Sequence, residues 1–115
     1  SQELKDWQGV ARVQSDLAML AEKQGRFDEA DALYKQAVSL AKQINDAEVM
    51  AQAFLSYGEY LFSQCKDYQN AINLVNEAYN IFTKMFAQKE AQYALKILQE
   101  IEKNCIRQDD GGTKK

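Results

Sequence analysis

Apolar residues recur along most of the chain at spacings of three and four, the period of one buried helix face. Five such segments are visible. The first covers residues 6–23, with Trp7, Val10, Ala11, Val13, Leu17, Ala18, Leu20 and Ala21 as its apolar set, and Gly25 comes after it as a stop. The second covers residues 27–44, with Ala30, Leu33, Tyr34, Ala37, Val38, Leu40 and Ala41 inward. Asn45 and Asp46 then break the pattern, and Asp46 is placed to cap the third segment. That segment covers residues 47–63, with Met50, Ala53, Phe54, Tyr57, Gly58 and Leu61 inward, and ends in the polar stretch around Gln64, Lys66 and Asp67. The fourth covers residues 68–85, with Ala71, Ile72, Leu74, Val75, Ala78, Tyr79, Ile81 and Phe82. The fifth covers residues 88–106, with Ala91, Ala94, Leu95, Leu98 and Ile101, and carries Lys89, Glu90, Lys96, Glu100, Glu102 and Lys103 on a solvated outer face. Residues 108–115 are polar and contain two glycines, which predicts a flexible tail. No alternating run predicts a strand.

The pattern also repeats at long range. Phe27, Ala30, Leu33, Tyr34, Ala37 and Leu40 align with Tyr68, Ala71, Leu74, Val75, Ala78 and Ile81, every pair 41 positions apart. Leu17, Ala18 and Ala21 align with Tyr57, Gly58 and Leu61 at 40 positions, so the second hairpin turn reads as one residue longer. A fixed period of this length marks stacked supersecondary units that cannot bury their apolar faces alone. Small residues (Ala18, Ala30, Ala37, Gly58, Ala71, Ala78) let helix backbones approach, and Phe27, Tyr34, Tyr68 and Val75 are the large residues expected to fill the space opposite.

Composition narrows the chemistry. The 115 residues contain no proline and no histidine, and 46% are apolar, a globular proportion. The net charge of −3 argues against a general nucleic-acid surface, which needs a basic stripe. The one compact basic cluster, Lys114–Lys115, reads as solvated tail. Cys65 and Cys105 are 40 residues apart with no histidine partners, so two free thiols in a reducing compartment is a better reading than a zinc site or a disulfide scaffold. No stretch approaches the roughly 18 apolar residues of a membrane span, and no signal peptide is visible. The acidic pairs Asp28–Glu29 and Asp109–Asp110 assemble no nucleophile, base and orienting group, so catalysis is not expected, and neither is any cofactor or metal. Asp28 and Glu29 instead suit the first turn of a helix, where acids favour the dipole. Trp7 and the tyrosines Tyr57, Tyr60, Tyr68, Tyr79 and Tyr93 read as packing residues.

Leu17-Ala18-x-x-Ala21, the turn Gly25-Arg26-Phe27-Asp28-Glu29-Ala30, then Tyr34 and Ala37, resemble the tetratricopeptide repeat, as do Tyr57, Gly58, Leu61, Tyr68, Ala71, Val75 and Ala78 in the second unit. The period is longer than that family's usual length of about 34 residues, and its proline after the second helix is absent. The chain is in this respect similar to the long-repeat subclass of kinesin light chain and related adaptors. The resemblance implies an all-α fold, an alpha-alpha superhelix of two helical hairpins plus a fifth helix that caps the stack or begins a third repeat. It implies one repeat domain over residues 1–107, with repeat one at about 8–44, repeat two at about 47–85 and the last helix at about 88–106.

The resemblance also implies a function: a non-catalytic module that binds a peptide or protein partner in a concave groove, in the cytoplasm. The groove would be lined by Arg12, Ser15, Asp16, Met19, Glu22 and Lys23 from the first helix. Gln52, Leu55, Ser56, Glu59 and Phe62 would come from the third, and Gln92 and Lys96 from the fifth. Met19, Leu55 and Phe62 are the expected apolar anchors. Clamps that grip a C-terminal carboxylate use Lys and Asn where Ser15, Met19 and Ser56 stand here, so carboxylate capture is not expected. Two further readings compete with the adaptor: a structural solenoid or self-association unit forming a homo-oligomer, and a regulatory sensor domain of a larger protein.

Overall fold

A computed structural model describes residues 2–113. Among them are five α-helices and no strand: α1 (Gln2–Lys23), α2 (Phe27–Ile44), α3 (Ala47–Tyr60), α4 (Tyr68–Lys84) and α5 (Gln88–Thr113). α3 runs on into a π-helical turn, Leu61–Cys65. The chain divides into two compact units, residues 1–57 and 58–115, with the boundary inside α3.

In the first unit α1 packs along α2. The buried residues of α2 are Ala30, Tyr34, Ala37 and Ala41, one stripe at steps of four, three and four. Among the described residues of α1, Ala11, Ala18 and Ala21 are buried, and with so little side chain between them the two helices lie close. A second cluster joins Ala11 and Ala41 to Val49 and Ala53 of α3, with Val38, Leu40, Ile44 and Met50 packed against it. Tyr34 stacks on Tyr57, ring centroids 5.9 Å apart. Asp46 caps α3 as expected, its carboxylate accepting from the Val49 N–H at 3.0 Å and from the Gln8 amide at 2.8 Å. Asp28 and Glu29 stand in the first turn of α2.

The second unit repeats the stripe. The buried residues of α4 are Ala71, Val75, Ala78 and Phe82, each 41 positions after its counterpart in α2. α4 packs on α5 and on the π-helical turn. Among the described residues of α5, Ala94 and Ile101 are buried. The charged residues expected on its outer face are exposed.

Four readings of the sequence change. The apolar set of α1 is not one buried face: Trp7, Val10, Val13, Leu17 and Leu20 are exposed, because α2 covers only the side that carries the alanines. Phe27 is likewise exposed instead of filling a hole. The added residue of the second repeat does not lengthen a hairpin loop. The loop before α2 is Gln24–Arg26 and the loop before α4 is the shorter Lys66–Asp67; the residue is absorbed by the wider π-helical winding of Leu61–Cys65. Finally, α5 is helical to Thr113, past the end at residue 106 expected for the fifth helix; Lys114 and Lys115 lie outside the described residues.

The turns show the repeat in the backbone. Left-handed residues close α1, α2, the π-helical turn and α4: Gly25 (φ 77°), Asn45 (59°), Lys66 (54°) and Phe86 (61°). Gly25 to Lys66 and Asn45 to Phe86 are both 41 positions. Glycine meets this geometry without steric cost, whereas a side chain with a Cβ costs roughly 1–2 kcal/mol there. Lys66→Gly is therefore expected to stabilise the chain by about 1 kcal/mol, once the greater freedom of an unfolded glycine is subtracted. Urea denaturation of the variant, with unchanged slope and a higher midpoint, checks this.

Gly58 is constrained by space. A Cβ at Gly58 would lie 2.7 Å from Val75 Cγ2 and 3.4 Å from the Ala71 carbonyl oxygen. Val75 is fully buried and branched at Cβ, so it has no room to turn away. Gly58→Ala is expected to destabilise by about 1–2 kcal/mol net, because overpacking outweighs the gain of about 1 kcal/mol in helix propensity. Gly9, also inside a helix, has nothing within 4 Å of such a Cβ. Gly9→Ala should show the propensity gain alone, and thermal melts of the two variants should move in opposite directions.

Candidate functional site: the groove between α1 and α3

α1 and α3 enclose a groove of about 460 Å³ in the first unit. Ala11, Arg12, Ser15, Asp16 and Met19 line it from α1; Glu48, Val49, Gln52, Ala53 and Ser56 line it from α3. Both sets follow helical periodicity, as at Arg12, Asp16 and Met19 and at Glu48, Gln52 and Ser56, so two straight helix faces form its walls. Ala11, Val49 and Ala53 are buried and form the floor. Met19, partly exposed, is the largest flexible apolar side chain on the walls, a shape that adapts to its contacts.

The rim is charged. Arg12 Nη2 lies 3.1 Å from Glu48 Oε1 across the groove, with both side chains more than half exposed. A pair this exposed contributes only about 0–1 kcal/mol, so either partner can be taken over by an incoming group at little cost. Asp16 has no ion-pair partner among the described residues, so the groove carries one carboxylate more than it has cations. Ser15, Ser56 and Gln52 supply neutral donors and acceptors.

Six of the thirteen residues expected in a groove are brought together here: Arg12, Ser15, Asp16, Met19, Gln52 and Ser56. The others are placed differently. Leu55 is buried, only 7% exposed, so it is a core residue and not an anchor offered to a ligand. Glu22 accepts a hydrogen bond from the Tyr34 hydroxyl at 2.8 Å, which holds it against α2. Lys23 is exposed in the last turn of α1, outside the groove lining. Phe62 is half-buried in the π-helical turn, its ring 5.9 Å from that of Tyr68. Gln92 lines another cavity, of about 480 Å³, where α4 turns into α5, with Tyr79, Phe82, Phe86 and Leu95. Lys96 is exposed and lines neither cavity. Sequence reasoning missed the three floor residues Ala11, Val49 and Ala53 and, on the walls, Glu48. Its position four residues before Gln52, on the same helix face, was the available signal.

Glu59, also expected in the groove, accepts a hydrogen bond of 2.5 Å from the Tyr93 hydroxyl in the second unit. The Glu59 carboxylate, together with partial burial, pushes the Tyr93 phenol up to about 12. A phenol whose folded pKa is raised contributes stability that is complete below the unfolded value near 10 and is lost as pH rises toward 12. Tyr93 is expected to be among the last tyrosines to ionise. Ultraviolet titration of tyrosinate should show a late phase near pH 12 that disappears in Tyr93→Phe and moves down in Glu59→Gln.

Two helical hairpins, a 41-residue recurrence of buried small and large residues, and a groove walled by the first helix of each hairpin within one unit agree with the tetratricopeptide pattern. A tetratricopeptide repeat family model matches residues 9–84, about two thirds of the chain. The chain belongs to the tetratricopeptide repeat family. No curated protein and no solved structure matches it. Tetratricopeptide repeats mediate protein–protein interaction and are in general not catalytic. Among the described residues no group of three or more His, Cys, Asp or Glu could hold a metal ion, and Cys65 and Cys105 are free thiols. Among the described residues no helix is long and apolar enough to cross a membrane.

Proposed function

We propose that this tetratricopeptide chain is a cytoplasmic adaptor that captures a peptide segment of a protein partner in the α1–α3 groove. The reading is carried by the groove lining: two helix faces present an apolar floor, one adaptable apolar side chain and a polar rim whose single ion pair is solvent-exposed. The ligand that fits places an apolar side chain against Met19 and a lysine or arginine beside Asp16, with backbone groups meeting Ser15, Gln52 and Ser56. A C-terminal carboxylate is a poor match. The one cation on the walls, Arg12, is already paired with Glu48, and no lysine or asparagine lines the groove. The 41-residue spacing of the left-handed turn residues supports placing the chain with the long-repeat subclass that includes kinesin light chain.

The test is selection of short random peptides on the intact chain, with the selected peptide then titrated into methyl-labelled protein. The Met19 methyl and the Gln52 side-chain amide should shift. Met19→Glu should weaken binding at least ten-fold, about 1.4 kcal/mol, while the melting temperature stays within about 2 °C of the parent, as expected for a surface change. Peptides whose binding is indifferent to both Met19→Glu and Asp16→Asn would overturn the reading. Leu55→Ala is unsuitable as a binding control, because it empties a core position at a cost of about 2–5 kcal/mol.

A further inference from the structure

The two junctions of the repeat are not filled alike. α3 and α5 begin 41 positions apart, at Ala47 and Gln88, and the left-handed residues ahead of them, Asn45 and Phe86, keep the same interval. Buried Ala53 of α3 corresponds in this register to buried Ala94 of α5. At the first junction Lys42 reaches from α2 over the ring of Phe54, its ammonium 5.8 Å from the ring centroid, and Phe54 is buried. At the second junction the matching positions hold Thr83 and Leu95. Two smaller side chains thus replace a long chain and a ring. Leu95 is 37% exposed, and a cavity of about 480 Å³ is lined by both residues where α4 turns into α5.

This cavity is aromatic and carries no charge. Phe82, all but fully buried, forms its floor, and Tyr79 and Phe86 add two further rings. Gln88 and Gln92 set two neutral amides one helical turn apart on the α5 wall. No Asp, Glu, Lys or Arg is among its described lining residues. The Thr83 hydroxyl donates to the Tyr79 carbonyl at 2.8 Å, so its proton is already committed, and the glutamine amides are the groups that can turn to donate or accept. The volume lies within the roughly 300–1,000 Å³ of small-ligand sites. An ion would leave water here for walls that offer no counter-charge, whereas an uncharged ring stacks on the aromatic walls and meets the amides with its polar edge.

Phe86 stands at the rim of the cavity in an unusual state. Its φ of 61° is one that a bulky residue rarely adopts, and its ring, 86% exposed, gains almost nothing by packing. Asn45, its counterpart, takes nearly the same φ of 59° with a residue suited to it. Strain of this kind collects at ligand clamps.

We propose that the α4–α5 cavity binds a small, uncharged aromatic molecule. Its ring occupies the space that Lys42 and Phe54 fill at the first junction, Gln88 and Gln92 bond to its polar edge, and Phe86 closes over its outer side. The cavity shares no residue with the α1–α3 groove, so this inference is independent of the peptide-binding reading.

The probe is N-phenylnaphthylamine, an uncharged aromatic amine whose fluorescence rises in apolar surroundings, titrated into the full chain. Anilinonaphthalenesulfonate, the same skeleton with a sulfonate added, is the charged comparison. The neutral probe should bind once per chain and about ten-fold more tightly than the sulfonate. Thr83→Lys with Leu95→Phe, which restores the pair of the first junction, should weaken it about ten-fold or more. Phe86→Asn should also weaken it, yet melt no lower than the parent, because asparagine relieves the strained turn. All three positions are exposed, so thermal melts should show both variants folded. A chain that ignores the neutral probe, binds it equally well in both variants, or takes the sulfonate as tightly overturns the proposal. So does an unliganded chain that is a dimer and becomes monomeric with Phe86→Asn, because the occupant is then a second copy.

Discussion

The contact on which this molecule depends is the close approach of helices at residues with little or no side chain. Ala30, Ala37 and Ala41 of α2 and Ala71 and Ala78 of α4 are all but fully buried, and Gly58 has no room even for a methyl group beside Val75. Small residues permit this approach, and backbones so close transmit any displacement directly. The same choice limits stability. An alanine stripe buries little apolar area per residue, at about 25 cal/mol per Å², so each hairpin draws on the few large side chains set between the alanines. Tyr34 in one unit, and Val75 and Phe82 in the other, occupy those places. The architecture is therefore rigid across each pair of helices and modest in the stabilisation any single pair supplies.

Helices packed this closely also demand constant register, and the turns maintain it. A left-handed residue closes each of the first four helical segments, and the 41-residue interval from Gly25 to Lys66 matches that from Asn45 to Phe86. Glycine and asparagine take this geometry readily, while lysine and phenylalanine do so at a cost that the surrounding hydrogen bonds must offset. Those bonds are present: the Lys66 N–H reaches the Leu61 carbonyl, and the Phe86 N–H reaches that of Thr83 at 3.1 Å. The π-helical turn solves a related problem. One residue added to the second repeat would rotate every later side chain by about 100° in a regular α-helix. Widening a single turn absorbs the residue and leaves the Ala71, Val75 and Ala78 stripe of α4 buried.

Much of this was legible in the chain. The limits of α2, the cap at Asp46 and the buried stripes of α2 and α4 follow from spacing and turn chemistry, because each rests on local rules. The readings that failed needed information that periodicity lacks. Val10, Val13 and Leu17 have the spacing of a buried face; spacing reports that a helix has an apolar side, not whether another helix covers it. Leu55 was expected in the groove but is covered. Glu22 and Glu59 fit a groove wall by position, and each accepts from a tyrosine hydroxyl instead, Tyr34 and Tyr93. A carboxylate side chain has enough freedom to turn toward a strong donor nearby, and its helical position alone does not report that donor.

The groove follows from the same geometry. Because α1 and α3 both pack on α2 through small residues, their outer faces run side by side, and Arg12, Asp16 and Met19 meet Glu48, Gln52 and Ser56 over a floor of alanine and valine. Holding that floor requires no ligand, so the peptide proposed to bind there would meet a surface already in place, and less of its binding energy would go to ordering the protein. In that proposed role, selectivity would rest on the walls. The exposed Arg12–Glu48 pair exchanges cheaply, whereas Asp16, with no cation of its own among the described residues, rewards a basic side chain and disfavours an acidic one. A surface of this kind would discriminate mainly by charge placed around a single apolar side chain, and Met19 is the exposed apolar residue the groove offers for that proposed role.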